Sequence, residues 1–103
     1  MKTLPSFDGL AAAREQARSF SARAEALAMK SDPTSLREQS RLWIGVSYAA
    51  AQLEREGAVV DRQHWHAVGT EAEQRAASAL ERCALRRRLG AVTLQVIRGG
   101  RHG

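Results

Sequence analysis

The sequence predicts an all-α, mainly helical protein, a small antiparallel bundle of three long helices plus a short helical turn. Apolar residues recur at alternating spacings of three and four, which is the pattern of amphipathic helices. Turn-forming residues interrupt this pattern at only a few points. Alanine dominates and aromatic residues are only 5% of the chain, which favours thin, closely packed helices. The 103 residues fit a single helical domain, 1–103.

The first predicted helix runs from Gly9 to about Lys30, after an extended lead-in at residues 1–7. Asp8 is its expected N-cap, because a short side-chain oxygen can accept from a free N–H of the first turn. The apolar stripe follows a 3-4-3-4-3 spacing, and half of it is alanine, so a neighbouring backbone can come close. The stripe consists of Leu10, Ala13, Ala17, Phe20, Ala24 and Leu27.

The second predicted helix spans about residues 36–56, with Ser35 and Glu38 as a capping box and Gly57 as its stop. Its apolar arc is wider than that of the first helix, which predicts a central position in the bundle. The short connector before it predicts an antiparallel hairpin with the first helix. We expect Gly45 to mark a close helix crossing. The inward residues are Leu36, Leu42, Trp43, Val46, Ala49, Ala50 and Leu53.

The third part of the chain is predicted to begin with a short turn at residues 62–68, capped by Asp61 and ended by Gly69. A fresh capping box at Thr70 then starts a long helix over residues 71–89. Gly90 is well placed as its C-cap. The inward residues of this helix are Ala72, Ala76, Ala79, Leu80 and Cys83.

The C-terminal extension, residues 91–97, allows two interpretations. Its β-branched residues alternate with polar ones, which favours a strand after a break at Gly90. The alternative is a continuation of the last helix, because four apolar residues also share helical spacing. Residues 98–103 are expected to form a flexible tail. The residues with helical spacing are Leu85, Leu89, Val92 and Val96.

The positive charge is concentrated at the C-terminal end. The formal net charge is +5, yet the chain up to Val60 is nearly neutral, with eight basic and seven acidic residues. From Arg82 onward there are six arginines and no acidic residue. Arginines at this spacing share a helix face and suit either phosphates or an acidic protein surface. The alternative is a solvated helix end that complements the helix dipole.

Catalytic, metal and cofactor sites are not expected. Cys83 is the only cysteine, and no base or oxyanion site accompanies it in the sequence. His64 and His66 would point in different directions on a helix, and they flank Trp65, which is expected to anchor in the core. The longest uncharged stretch, residues 42–53, is too short to span a bilayer. A soluble, cytoplasmic protein is the expectation.

The predicted function is non-enzymatic binding of a protein partner, as an adaptor, inhibitor, chaperone or accessory subunit. Three thin helices leave apolar surface to spare, which predicts a homodimer or a heteromeric partner and no small-molecule substrate. The alternative is nucleic-acid binding through the arginines between Arg82 and Arg101, although no recognisable nucleic-acid-binding motif accompanies them. The expected partner-binding residues are Phe20, Trp43, Tyr48, Trp65, Arg82, Arg86, Arg87, Arg88, Val92, Leu94 and Val96.

Overall fold

The computed structural model describes the backbone of residues 5–102 and the side chains of residues 9–89. Over this range the chain forms helices and short connectors and no strand, so the predicted all-α class is confirmed. The elements are α1 (Pro5–Ala26), α2 (Pro33–Glu56), a short 3₁₀ turn (Val59–Asp61) and α3 (Arg62–His102).

Helix α1 begins and ends about four residues earlier than predicted. Pro5 is its first residue, where the missing N–H of proline costs nothing. Asp8 therefore lies inside the helix, and the predicted lead-in is wrong for residues 5–7; residues 1–4 lie outside the described part. The helix closes with a tight turn in which the Leu27 N–H donates to the Ala24 carbonyl at 3.1 Å.

Helix α2 is capped by Asp32 and not by the predicted pair Ser35 and Glu38. The Asp32 carboxylate accepts a hydrogen bond from the Ser35 N–H at 3.1 Å, and Pro33 occupies the first helical position. Hydrogen bonds from the Ser35 hydroxyl and then from its N–H lower the pKa of Asp32 and keep the cap charged. Glu38 instead pairs with Arg41 on the surface. The predicted end at Gly57 is confirmed.

Helix α3 is continuous where two interruptions were predicted. Gly69 lies inside the helix because it packs against α2, where a Cβ atom at this position would lie 3.4 Å from the Ala50 Cβ. Thr70 is not a cap, since its hydroxyl donates to the His66 carbonyl one turn earlier at 3.0 Å. The backbone also continues through Gly90, so the predicted break there is wrong as well.

The C-terminal extension has a helical backbone, as in the second interpretation of residues 91–97. The side chains from residue 90 onward lie outside the described part, and so does Gly103. The helical backbone through His102 does not match the flexible tail predicted for residues 98–103. At 1.5 Å per residue α3 is about 61 Å long and α2 about 36 Å, so α3 extends past the end of α2.

The hydrophobic core lies along α2, which packs against both α1 and α3. The predicted inward stripes of α1 and α2 are largely confirmed, although four of their residues are only half-buried: Leu10, Phe20, Leu27 and Trp43. Leu80 was predicted to face inward but is 49% exposed, because it follows the buried Ala79 by one residue and is rotated by about 100°. The central buried cluster comprises Ala13, Ala17, Val46, Ala49, Leu53 and Ala72.

Helices α1 and α2 approach each other closely near the middle of both helices. Between α1 and α2, the Gln16 side-chain amide donates to the Gly45 carbonyl at 2.9 Å. The same site brings the Phe20 ring so close to Gly45 that a Cβ atom there would overlap it. The close helix crossing predicted at Gly45 is therefore confirmed.

Candidate interaction surface

A buried glutamine joins three elements near the α1–α2 connector. Gln39 is 3% exposed, and its amide donates to the carbonyls of Leu27 at 2.7 Å and Lys30 at 3.0 Å. Its own carbonyl oxygen accepts from the Arg82 guanidinium at 3.5 Å. The Leu27 carbonyl also accepts from the Lys30 N–H at 2.9 Å, so Gln39 adds side-chain hydrogen bonds to the turn after α1 and fixes the connector against α2 and α3.

An ion-pair network bridges α1 and α3 above α2. Arg75 of α3 pairs with Glu25 of α1 at 3.1 Å and with Glu71, one turn earlier on its own helix, at 2.7 Å. Its guanidinium lies over the Trp43 ring, 4.7 Å from the ring centre. The partly exposed ring of Trp43 is therefore covered by a cation that is already neutralised.

Two small open cavities flank this network, with volumes of about 220 and 180 Å³. Trp43 and Arg75 line both of them. Because Arg75 is paired with two carboxylates, neither cavity offers a strong uncompensated charge from this arginine. The network is thus better suited to holding α1 and α3 together than to binding a ligand.

A more apolar groove lies where α3 passes the α1–α2 connector. Its volume is about 230 Å³. Leu85 and Leu89 are 49% and 54% exposed, one helical turn apart on α3, and the buried Leu36 of α2 also lines the groove. Arg82, Arg86 and Ser31 complete its lining. We call these six residues the connector groove.

The basic residues in this part of α3 fall into two groups. Arg82 donates to Gln39 of α2, and Arg86 donates to the Ser31 carbonyl at 3.2 Å and to its hydroxyl at 3.3 Å. Arg87 and Arg88 are exposed, and neither forms an ion pair with the side chains described. The structure therefore fixes two of the predicted arginines beside an apolar groove and leaves two facing solvent.

The other predicted partner-binding residues do not form one surface. Phe20 packs at Gly45, and the half-buried Trp65 packs against the core as expected. Tyr48 is 71% exposed on the solvent side of α2. The side chains of three predicted residues lie outside the described part. These are Val92, Leu94 and Val96.

Residues with metal-binding or nucleophilic potential are dispersed. Among the described side chains, no three His, Cys, Asp or Glu residues come together as a metal site. His66 pairs with Glu54 at 3.2 Å, whereas His64 packs edge-on against Trp65. The thiol of Cys83 is buried and its nearest polar partner is the Pro33 carbonyl at 3.6 Å. Cys83 therefore faces inward, as predicted.

Leu85 and Leu89 were not among the binding residues predicted from the sequence, although the structure places them in the connector groove. Their helical spacing with residues 92 and 96 was visible in the sequence. It indicates one helix face only if α3 is continuous, which the structure shows. Arg75 carried no sequence signal, because its partners Glu25 and Trp43 are distant along the chain.

Within the described part, no helix combines the length and apolar character that crossing a bilayer requires. No protein-family model matches the chain, and no curated protein or solved structure matches it either.

Proposed function

We propose that this chain is an antiparallel three-helix bundle that binds a protein partner and has no enzymatic activity. The observation that carries the proposal is the connector groove, where Leu85 and Leu89 remain half exposed although the alanine-rich core beneath α3 is closed. Full burial of an exposed leucine contributes about 1.5–3 kcal/mol, and covering a leucine that is already half-buried contributes about half of that. A partner that covers both leucines would therefore gain a substantial binding energy.

Hydrogen bonds hold the described part of the proposed binding surface in place. Gln39 and Arg86 tie the connector to α2 and α3 through hydrogen bonds, so the groove does not need to form upon binding. A preformed surface loses less entropy upon association than a flexible one. This arrangement supports an adaptor, inhibitor or accessory subunit that acts through its helical faces.

Site-specific photo-cross-linking in the native extract tests the proposal. A cross-linking amino acid at position 89 should give a discrete protein adduct that survives nuclease treatment and disappears with excess unlabelled protein. The matched control is position 60, because Val60 is an apolar residue that is 88% exposed in the 3₁₀ turn, outside the groove. Equal adducts at both positions, or none at position 89, would contradict the proposal.

The alternative function is nucleic-acid binding, and the exposed pair Arg87 and Arg88 favours it. If phosphates are the target, replacing Arg86, Arg87 and Arg88 with glutamine should flatten the dependence of affinity on salt. Each lost phosphate contact reduces the slope against log salt by about 0.9 for duplex DNA. Unchanged retention of the variant on immobilised nucleic acid would rule this function out.

A further inference from the structure

The connector groove combines an apolar floor with a basic edge. Leu36 is fully buried beneath it, and Leu85 and Leu89 form one side. An engineered apolar cavity of about 150 Å³ can hold a benzene ring. A groove of about 230 Å³ therefore has room for a branched or aromatic side chain.

Arg82 and Arg86 lie at the edge of this apolar floor, and their hydrogen bonds do not use all of their N–H donors. Arg82 uses one N–H toward Gln39, and Arg86 uses two nitrogen atoms toward Ser31. A guanidinium has five N–H donors, so both arginines can still bind a carboxylate. Their existing hydrogen bonds hold them in position, which lowers the entropy lost when a ligand pairs with them.

The charge around the groove disfavours a second copy of the chain as its occupant. No acidic residue follows Glu81 in the sequence, and six arginines do. Two copies that met along this part of α3 would bring like charges together, which costs free energy and slows association. An occupant with carboxylates beside its apolar side chains would instead be attracted.

The helical backbone of α3 suggests the shape of the occupant. It continues beyond Leu89 to His102, and positions 92 and 96 repeat the spacing of Leu85 and Leu89. A helix laid alongside α3 can contact Leu85 and Leu89, which lie one turn apart, as amphipathic helices do in apolar grooves. The concave groove also favours an inserted side chain over the broad contact that a lipid surface makes.

We propose, building on the proposed function, that the connector groove binds an acidic amphipathic helix of a partner protein. An apolar side chain of that helix enters the groove between Leu36, Leu85 and Leu89. Glutamate or aspartate residues on its flanks pair with Arg82 and Arg86. The partner is therefore recognised by apolar residues at helical spacing with acidic residues beside them.

Fluorescence anisotropy with the full-length protein and designed helical peptides tests this inference. The first peptide places leucines at helical spacing with flanking glutamates, and a matched peptide carries glutamine in place of every glutamate. We expect the acidic peptide to bind about tenfold more tightly, a difference of about 1.4 kcal/mol. The replacements Arg82→Gln and Arg86→Gln together should abolish this difference.

Substitutions of three exposed leucines test whether the apolar part of the groove binds the peptide and provide the control. The double variant Leu85→Gln and Leu89→Gln should lose binding of both peptides, whereas Leu80→Gln should bind normally. Leu80 has the same 49% exposure as Leu85 but does not line the groove. Circular dichroism verifies that the variants remain helical. Equal affinity for the two peptides, or an equal loss in the Leu80 variant, would overturn the inference.

The experiments distinguish binding to a lipid surface from failure of the proposed protein-binding function. Binding to phosphatidylserine-containing vesicles that is lost in the Leu85 and Leu89 variant, with no peptide binding, would replace the partner helix by a membrane surface. Absence of peptide binding together with a specific adduct at position 89 would reject the acidic helix and retain a protein partner. Absence of both would reject both proposals.

Discussion

Replacing Leu53 with alanine is expected to destabilise the protein by about 3–5 kcal/mol, in the upper part of the range for buried leucines. Leu53 is fully buried in the central cluster. Four of its five companions in this cluster are alanines, which have no alternative rotamers with which to fill a cavity. Small domains have total stabilities of about 5–15 kcal/mol, so the variant should be close to unfolding.

Urea denaturation followed by circular dichroism measures this loss. The matched control is Leu80→Ala, which removes the same atoms from a side chain that is 49% exposed. Surface substitutions usually change stability by less than about 0.5 kcal/mol, so the control should cost far less than Leu53→Ala. Similar losses in the two variants would show that α2 does not form the centre of the core.

The central position of α2 could be predicted from the spacing of the apolar residues in its sequence. Leu36, Val46 and Leu53 recur at helical spacing among small residues, and a wide apolar arc has to be covered on two sides. Burial of these residues in the structure follows from that pattern. The class of the fold was therefore predictable from local periodicity alone.

Helix boundaries were less predictable because packing overrides local preferences. Gly69 resembles a helix stop in the sequence, yet its small size lets α3 approach Ala50 on α2, and the helix continues. Ser35 resembles an N-cap, but Asp32 caps the helix one turn earlier with Pro33 beside it. At Gly69 a tertiary contact overrides the local preference, and at the start of α2 the sequence offers two caps of which only Asp32 is used.

The interaction surface was the least predictable part because it joins residues far apart in the sequence. Leu36 and Leu85 meet in the connector groove across 49 positions. Ser40 illustrates a similar limit, since it is buried with no hydrogen-bond partner for its hydroxyl among the described residues. Local periodicity does not reveal which buried polar groups lack a partner.

Replacing Gly45 with alanine should destabilise the wild-type protein and stabilise a variant that lacks the Phe20 ring. Alanine in a helix is favoured over glycine by about 1 kcal/mol. In the wild type, however, the added Cβ would overlap the Phe20 ring, and overpacking of this kind costs about 1–3 kcal/mol. With Phe20→Ala the space is free, so the same substitution should gain up to about 1 kcal/mol.

Chemical denaturation of the four proteins in this double-mutant cycle measures the coupling between Gly45 and Phe20. Gly69→Ala is the matched control, because a Cβ atom there meets the Ala50 Cβ at 3.4 Å, an ordinary contact. Gly69→Ala should therefore stabilise the protein whether or not Phe20 is present. If Gly45→Ala has the same sign in both backgrounds, the Phe20 ring does not occupy the space beside Gly45, and α1 packs on α2 in some other way.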